Sequence, residues 1–233
     1  MHPERPPVPG LPVRNLSEVA VADLLLEPGC PVCREAALRA ARFIESMLWE
    51  SVNDVGFRRT LDAARGFCRR HTVQMLLWER SRSGGSLGSA ILFGAVLAVR
   101  EGETVGIHGS SGRARTRRMA YARRAPACPV CGDVAGAQEA VIGNLLRLAP
   151  DPEWREALSA APFCFDHLLD LMARSTSTEP WRAIEARQIE RLTAMRGRLE
   201  AFAHNSSYDR RHLITDDERH SIDDVAGLLG GSD

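Results

Sequence analysis

A short arrangement of cysteine and histidine occurs twice in this chain and limits how it can fold. Each copy begins with the tetrapeptide C-P-V-C and ends with F-C-x2-H. The gap from the second to the third cysteine holds 34 residues in the first copy and 32 in the second. The two copies are Cys30, Cys33, Cys68 and His71, followed by Cys128, Cys131, Cys164 and His167. All six cysteines of the protein belong to this pattern, which is typical of metal ligands.

The residue types indicate a closed, four-ligand metal site in each copy. In C-P-V-C the proline stiffens a turn that lets two sulfur atoms converge on one ion. Cys68 and His71 lie three residues apart, so both project from one face of a predicted helix. A helix N-terminus there favours the thiolate form of cysteine. Three thiolates and one imidazole are the donors of a structural zinc site, and the sequence predicts two Zn²⁺ ions per chain.

The spacing leaves several alternatives open. The matched gaps favour one site within each copy, but Cys30 and Cys33 could instead join Cys164 and His167. An iron–sulfur cluster could use the same ligands. A dithiol redox role for C-P-V-C is less favoured, because each cysteine pair already belongs to a complete ligand set. A site with four protein ligands has no position for a reactive water, which argues against zinc-dependent hydrolysis.

Apolar residues between the motifs recur with helical spacing. After Cys33 one predicted face contains Ala37, Ala41, Ile44 and Leu48, broadened by Ala40, Phe43 and Met47. After Cys131 the corresponding residues are Val134, Ala137, Val141, Leu145 and Leu148. Asn53-Asp54 and Asp151-Pro152 lie at the same offset from the preceding cysteine and can each cap a short return helix. No useful alternating strand pattern appears, so we predict an all-α fold of two tandem, related modules.

The repeat and the local composition suggest domain boundaries. The predicted segments are a flexible proline-rich tail (1–14), a first zinc module (15–101), a linker rich in glycine and arginine (102–126), a second zinc module (127–204), and a polar C-terminal segment with a short helix (205–233). The tail lacks the apolar region of a signal peptide, and no apolar run reaches the roughly 20 residues that span a bilayer. We therefore expect a cytoplasmic protein without a membrane partner.

The balance of charge does not demand a nucleic-acid partner. The chain has 30 basic side chains, all arginine, against 30 acidic ones. Six arginines from Arg113 to Arg124 surround Tyr121 and could bind phosphate. The favoured interpretation is a solvated linker, because the chain as a whole is not basic. A protein or a small molecule is the expected partner, and the sequence leaves the oligomeric state open.

Four further segments extend the pattern: E-P-G-C-P-V-C-R (27–34), V-N-D (52–54), R-G-F-C-x2-H (65–71) and L-G-S-A-I-L (87–92). Together they resemble an uncharacterised bacterial family, a domain of unknown function that pairs CPxC with FCxxH. The late segments N-S-S-Y-D-R-R (205–211) and V-A-G-L-L-G-G (225–231) resemble a degenerate form of that family's C-terminal end. The resemblance covers most of the chain. It implies the architecture and the ligand residues but no reaction.

Three hypotheses for function follow. The first is a zinc-stabilised binding or scaffold protein without catalytic activity. The second is a regulator that responds to oxidant or metal, in which thiolates release zinc and form disulfides. The third is an enzyme with a pocket between the modules, bordered by the Leu87–Val99 helix and the C-terminal segment. No Ser/His/Asp triad or pair of carboxylates stands out, so the sequence nominates no catalytic residue and favours a non-enzyme.

Overall fold

The computed structural model of the protein describes residues 10–175 and 179–230, and every regular element there is helical. The all-α prediction is confirmed for these residues. Most of the predicted tail (1–9) lies outside them. The α-helices are α1 (Leu16–Leu26), α2 (Pro31–Ser46), α3 (Val55–Ala64), α4 (Arg69–Ser83), α5 (Leu87–His108), α6 (Gly112–Ala122), α7 (Pro129–Leu148), α8 (Pro152–Ala160), α9 (Phe165–Arg174), α10 (Glu179–Asn205) and α11 (Asp216–Gly230). A π-helical turn (Met47–Ser51) extends α2, and a 3₁₀ turn (Arg211–Leu213) precedes α11.

The chain forms two compact units that differ from its sequence halves. Unit 1 contains residues 1–36 and 138–233, and unit 2 contains residues 37–137. The boundaries fall inside α2 and α7, the helices that begin at the two C-P-V-C motifs. Each unit has its own apolar core. Trp154, Phe163 and Ile184 are buried in unit 1, while Ile44 and Met75 are buried in unit 2.

Short polar motifs cap several helices. The side chain of Asn15 accepts a hydrogen bond from the Glu18 amide at the start of α1. Asp54 and Asp151, from the two dipeptides predicted to cap return helices, cap α3 and α8 in the same way. Such caps satisfy backbone donors that have no partner within the helix, and each stabilises a helix by about 1 kcal/mol.

The buried face of α2 matches the predicted one in part. Ala40, Ile44 and Met47 are buried as predicted, whereas Ala37 is exposed and Ala36 is buried in its place, in phase with Val32. Alanines at 36, 37, 40 and 41 fit two adjacent helical faces equally well. The first turn of the helix, where Val32 is fully buried, selects between them.

The segment expected to be a linker (102–126) is largely helical. Helix α5 continues to His108, and α6 follows after three residues. Arg118 of α6 lies over Gly106 of α5, where an added Cβ would be 2.8 Å from Arg118 Nη1. Arg115 Nη1 also donates to the Ile107 carbonyl, at 3.1 Å. The glycines of this segment therefore do not break α5, and arginines of α6 lie against its end.

Candidate metal centres

All eight predicted ligands form two groups that could each hold a metal ion. The ligand atoms within each group lie within 4.8 Å of one another. Site 1, in unit 1, consists of Cys30, Cys33, Cys164 and His167. Site 2, in unit 2, consists of Cys68, His71, Cys128 and Cys131.

The grouping corrects the favoured pairing of the motifs. Each site combines the C-P-V-C of one sequence copy with the C-x2-H of the other, so the expectation of one site within each copy is wrong. The closely similar gaps of 34 and 32 residues reflect two similar helical segments. The gap lengths do not determine which C-P-V-C motif shares a site with which C-x2-H motif, because that depends on how the helices pack against one another.

Site 1 is assembled from the first turns of α2 and α9. His167 Nδ1 lies 3.0 Å from Cys164 Sγ, 3.2 Å from Cys33 Sγ and 3.6 Å from Cys30 Sγ. The sulfur atoms of Cys33 and Cys164 are 3.5 Å apart. A disulfide requires about 2.05 Å, so these cysteines are thiols arranged around a common point.

Site 2 repeats this construction with α4 and α7. His71 Nδ1 lies 3.3 Å from the sulfur atoms of Cys68 and Cys131 and 3.4 Å from that of Cys128. The sulfur atoms of Cys68 and Cys131 are 3.6 Å apart. In both sites the histidine presents Nδ1, and two helix N-termini meet at the ligands.

Helix starts explain why these short motifs converge. Cys68 and Cys164 are the N-cap residues of α4 and α9, and each histidine follows within the first turn. The backbone amide of His71 donates to Cys68 Sγ at 3.5 Å. Unpaired amides and the positive end of the helix dipole favour the thiolate form of the cysteine at each helix start.

Crowding of the sulfur atoms shifts the acidity of the ligands. In site 1, hydrogen bonding with Cys30 and Cys33 raises the pKa of His167 to about 10 and also raises the pKa of Cys164. In site 2, burial and hydrogen bonding with Cys68 raise the pKa of Cys131 to about 12. Three adjacent sulfur atoms resist full ionisation unless positive charge is close to them.

The two sites differ in exposure to solvent. In site 1 all three cysteines are buried, with Cys164 only 2% exposed. In site 2, Cys128 and His71 are buried, but Cys68 is half-buried and Cys131 is exposed. Reagents in solution therefore reach the sulfur atoms of site 2 more easily.

A partner of His167 was not predicted from the sequence. The side-chain amide nitrogen of Gln138, on α7, lies 3.2 Å from His167 Nε2, and rotating the amide by 180° would place its oxygen there. With the amide oxygen turned toward the ring, Nε2–H donates to Gln138 and leaves Nδ1 free to bind a cation. A glutamine on an amphipathic helix looks like an ordinary surface residue in sequence, so no pattern could have indicated this contact.

A cavity of about 680 Å³ in unit 1 borders site 1. Cys30 and Cys164 contribute to its wall, and Arg191, Asp223 and Asp224 contribute polar groups. Burial lowers the pKa of Arg191, and the nearby carboxylate of Asp224 opposes that shift. The Leu87–Val99 segment expected to border an enzyme pocket belongs to unit 2 and does not line this cavity.

Gly66 places Cys68 at the start of α4, and its replacement should destabilise unit 2. Its φ is +102°, and an added Cβ would lie 2.7 Å from Val96 Cγ1. We expect Gly66→Ala to lower the free energy of unfolding by about 2–4 kcal/mol, through left-handed backbone strain and overpacking. Chemical denaturation measures this loss.

Gly84→Ala is the matched control. Gly84 also has a positive φ, +66°, but nothing lies within 4 Å of its added Cβ. The control should lose only about 1 kcal/mol. Equal losses in the two variants would show that the contact with Val96 does not restrict position 66.

Comparison with known proteins gives a family without an assigned activity. The model described as "Family of unknown function (DUF6062)" matches residues 14–186, and this range includes all eight ligands. No curated protein and no solved structure matches the chain. Among the described helices, none is long and apolar enough to cross a membrane.

Proposed function

The chain belongs to this family of unknown function, and we propose that it binds two structural zinc ions, one at each site, as a non-enzymatic helical scaffold or binding protein. The observation that carries the proposal is the closed set of three sulfur atoms and one imidazole nitrogen, formed twice. Soft sulfur donors disfavour magnesium and calcium, which prefer oxygen. Zinc bound at each site would hold two helix starts together.

The distances between ligand atoms support a single tetrahedral ion at each site. With Zn–S near 2.3 Å and Zn–N near 2.0–2.1 Å, tetrahedral geometry places two sulfurs about 3.8 Å apart and a sulfur and a nitrogen about 3.5 Å apart. The sulfur atoms of Cys33 and Cys164 are 3.5 Å apart, those of Cys68 and Cys131 are 3.6 Å apart, and all ligand atoms of a site lie within 4.8 Å of one another. The sulfur–nitrogen distances range from 3.0 to 3.6 Å. An iron–sulfur cluster would need its ligands spread around several iron and sulfide atoms.

A structural role follows from the chain segments that each site connects. Cys33 and His167 of site 1 are 134 residues apart, and His71 and Cys131 of site 2 are 60 residues apart. Binding of structural zinc contributes about 10–16 kcal/mol in small metal-folded peptides, comparable to the whole stability of a domain. Reduced thiols in both sites suit a cytoplasmic location.

Elemental analysis combined with native mass spectrometry tests this proposal. We expect two zinc atoms per chain in protein purified without added metal, and a colourless solution. Iron with visible absorption would favour a cluster, and metal-free protein with unchanged helicity and melting would contradict a structural ion. The same mass spectrum reports the oligomeric state.

A further inference from the structure

The zero net charge of the chain hides a strong division between its two units. Residues 37–137 contain 16 arginines and 8 acidic residues, a net charge of +8. The remaining residues, 1–36 and 138–233, contain 14 arginines and 22 acidic residues, a net charge of −8. Unit 2 is therefore a basic domain, although the whole-chain composition gives no sign of it.

The positive charge of unit 2 is concentrated on and just after α6. The arginines there are Arg113, Arg115, Arg117, Arg118, Arg123 and Arg124. All six are exposed, and no acidic residue occurs between Glu103 and Asp133. Within the described residues, none of the six forms an ion pair with a carboxylate. These guanidinium groups are therefore not neutralised by the unit that carries them.

A buried arginine holds the end of α6 in place. Arg65 donates to the carbonyls of Ala122 at 2.8 Å and Arg124 at 3.2 Å. It also forms two hydrogen bonds with Glu103, at 2.5 and 3.1 Å, and lies over the ring of Tyr121, 4.6 Å from its centroid. The segment is thus a fixed cationic surface, in contrast to the solvated linker expected from its composition.

From this surface we propose that unit 2 binds the phosphate backbone of nucleic acid, without direct readout of base sequence. Guanidinium groups form paired hydrogen bonds with phosphate oxygens. Tyr121 lies among the arginines and is 49% exposed, so its ring can stack on an unpaired base. A membrane surface fits less well, because α6 carries none of the Trp, Phe or Leu side chains of helices that insert into lipid. The proposal goes beyond metal binding and does not depend on which ion is bound.

Fluorescence anisotropy of the full chain with labelled single-stranded RNA and duplex DNA tests the proposal. Binding should weaken steeply with salt, with a slope of about 0.7–0.9 in log K per log[salt] for each phosphate contacted. The variant Arg113→Glu/Arg117→Glu/Arg123→Glu should reduce affinity at least about tenfold and lower the slope by about 2–3. Its three positions avoid Arg115 and Arg118, which lie against α5, and Arg124, which lies near Tyr121.

The matched control is Arg42→Glu/Arg59→Glu/Arg82→Glu, which makes the same charge change at exposed positions elsewhere in unit 2. The control should retain most of the affinity, and an equal loss in both variants would overturn α6 as the binding surface. Absence of binding by the unmodified protein at low salt would overturn the proposal. Equally tight binding of polyglutamate would also overturn it, because that result would indicate an acidic protein partner. Arg→Gln versions at the three α6 positions provide a second test if charge reversal impairs folding.

Helicity and metal content, measured on the same samples, separate this proposal from the preceding one. Lost binding in a folded variant that retains both metal ions supports the α6 surface alone. If the purified protein contains no zinc but still binds nucleic acid, the structural zinc proposal is contradicted and the proposal for the α6 surface stands.

Discussion

Replacing Cys33 and Cys164 together by serine should leave one metal ion per chain, whereas replacing Cys33 and Cys68 together should leave none. The first pair contributes to site 1 only, and the second pair removes one ligand from each site. A site within each sequence copy would give the reverse result, because Cys33 and Cys68 would then share an ion. Native mass spectrometry of the two double variants distinguishes these arrangements directly.

The stability of these variants should follow the same grouping. Cys33→Ser and Cys164→Ser should each destabilise unit 1 by several kcal/mol, since either change removes a thiolate and weakens the same ion. Their combination should cost little more than one change alone, because the ion is already lost. Cys33→Ser and Cys68→Ser lie in different units, and their effects on denaturation should add. Additive losses from Cys33→Ser and Cys164→Ser would contradict a shared ion.

Much of the local structure could be predicted from the sequence. Helix periodicity and caps depend on residues within a few positions of one another. For example, Thr215 and Glu218 form a capping box of the T-x-x-E type, with the Thr215 amide 2.9 Å from Glu218 Oε2 and the Glu218 amide 3.2 Å from Thr215 Oγ1. The eight candidate ligands could also be selected by local spacing, because a helix start places residues i and i+3 together.

The pairing of the ligands and the nature of the basic segment depend on contacts that are distant in sequence. Cys30 and Cys33 belong to the first copy, and His167 belongs to the second. Their sulfur atoms nevertheless lie 3.6 and 3.2 Å from His167 Nδ1, because α2 and α9 begin beside each other. Likewise, the charge of unit 2 becomes apparent only when residues 37–137 are recognised as one compact body. Arg65, which fixes the end of α6, is one of many arginines in the sequence, and its burial becomes apparent only in the fold.

A chelator should remove metal in two steps, from site 2 first. Displacing an ion requires a competing ligand to reach its donors, and site 2 offers exposed Cys131 and half-buried Cys68. Site 1 presents only buried sulfur atoms, and Gln138 holds its histidine. We expect metal to leave site 2 about tenfold faster than site 1. Hydrogen-bond partners of a ligating histidine change metal affinity by about 10–100-fold, and tighter binding slows release.

Alkylation during chelation identifies which ion leaves. N-ethylmaleimide added after the first step should label the cysteines of site 2, while those of site 1 remain protected until the second. Gln138→Ala should accelerate the second step and leave the first unchanged, because Gln138 contacts only the histidine of site 1. Labelling of Cys30, Cys33 and Cys164 in the first step would show that exposure of the sulfur atoms does not control release. Loss of both ions in a single step would instead show that the two units unfold together, so that neither site holds its unit independently.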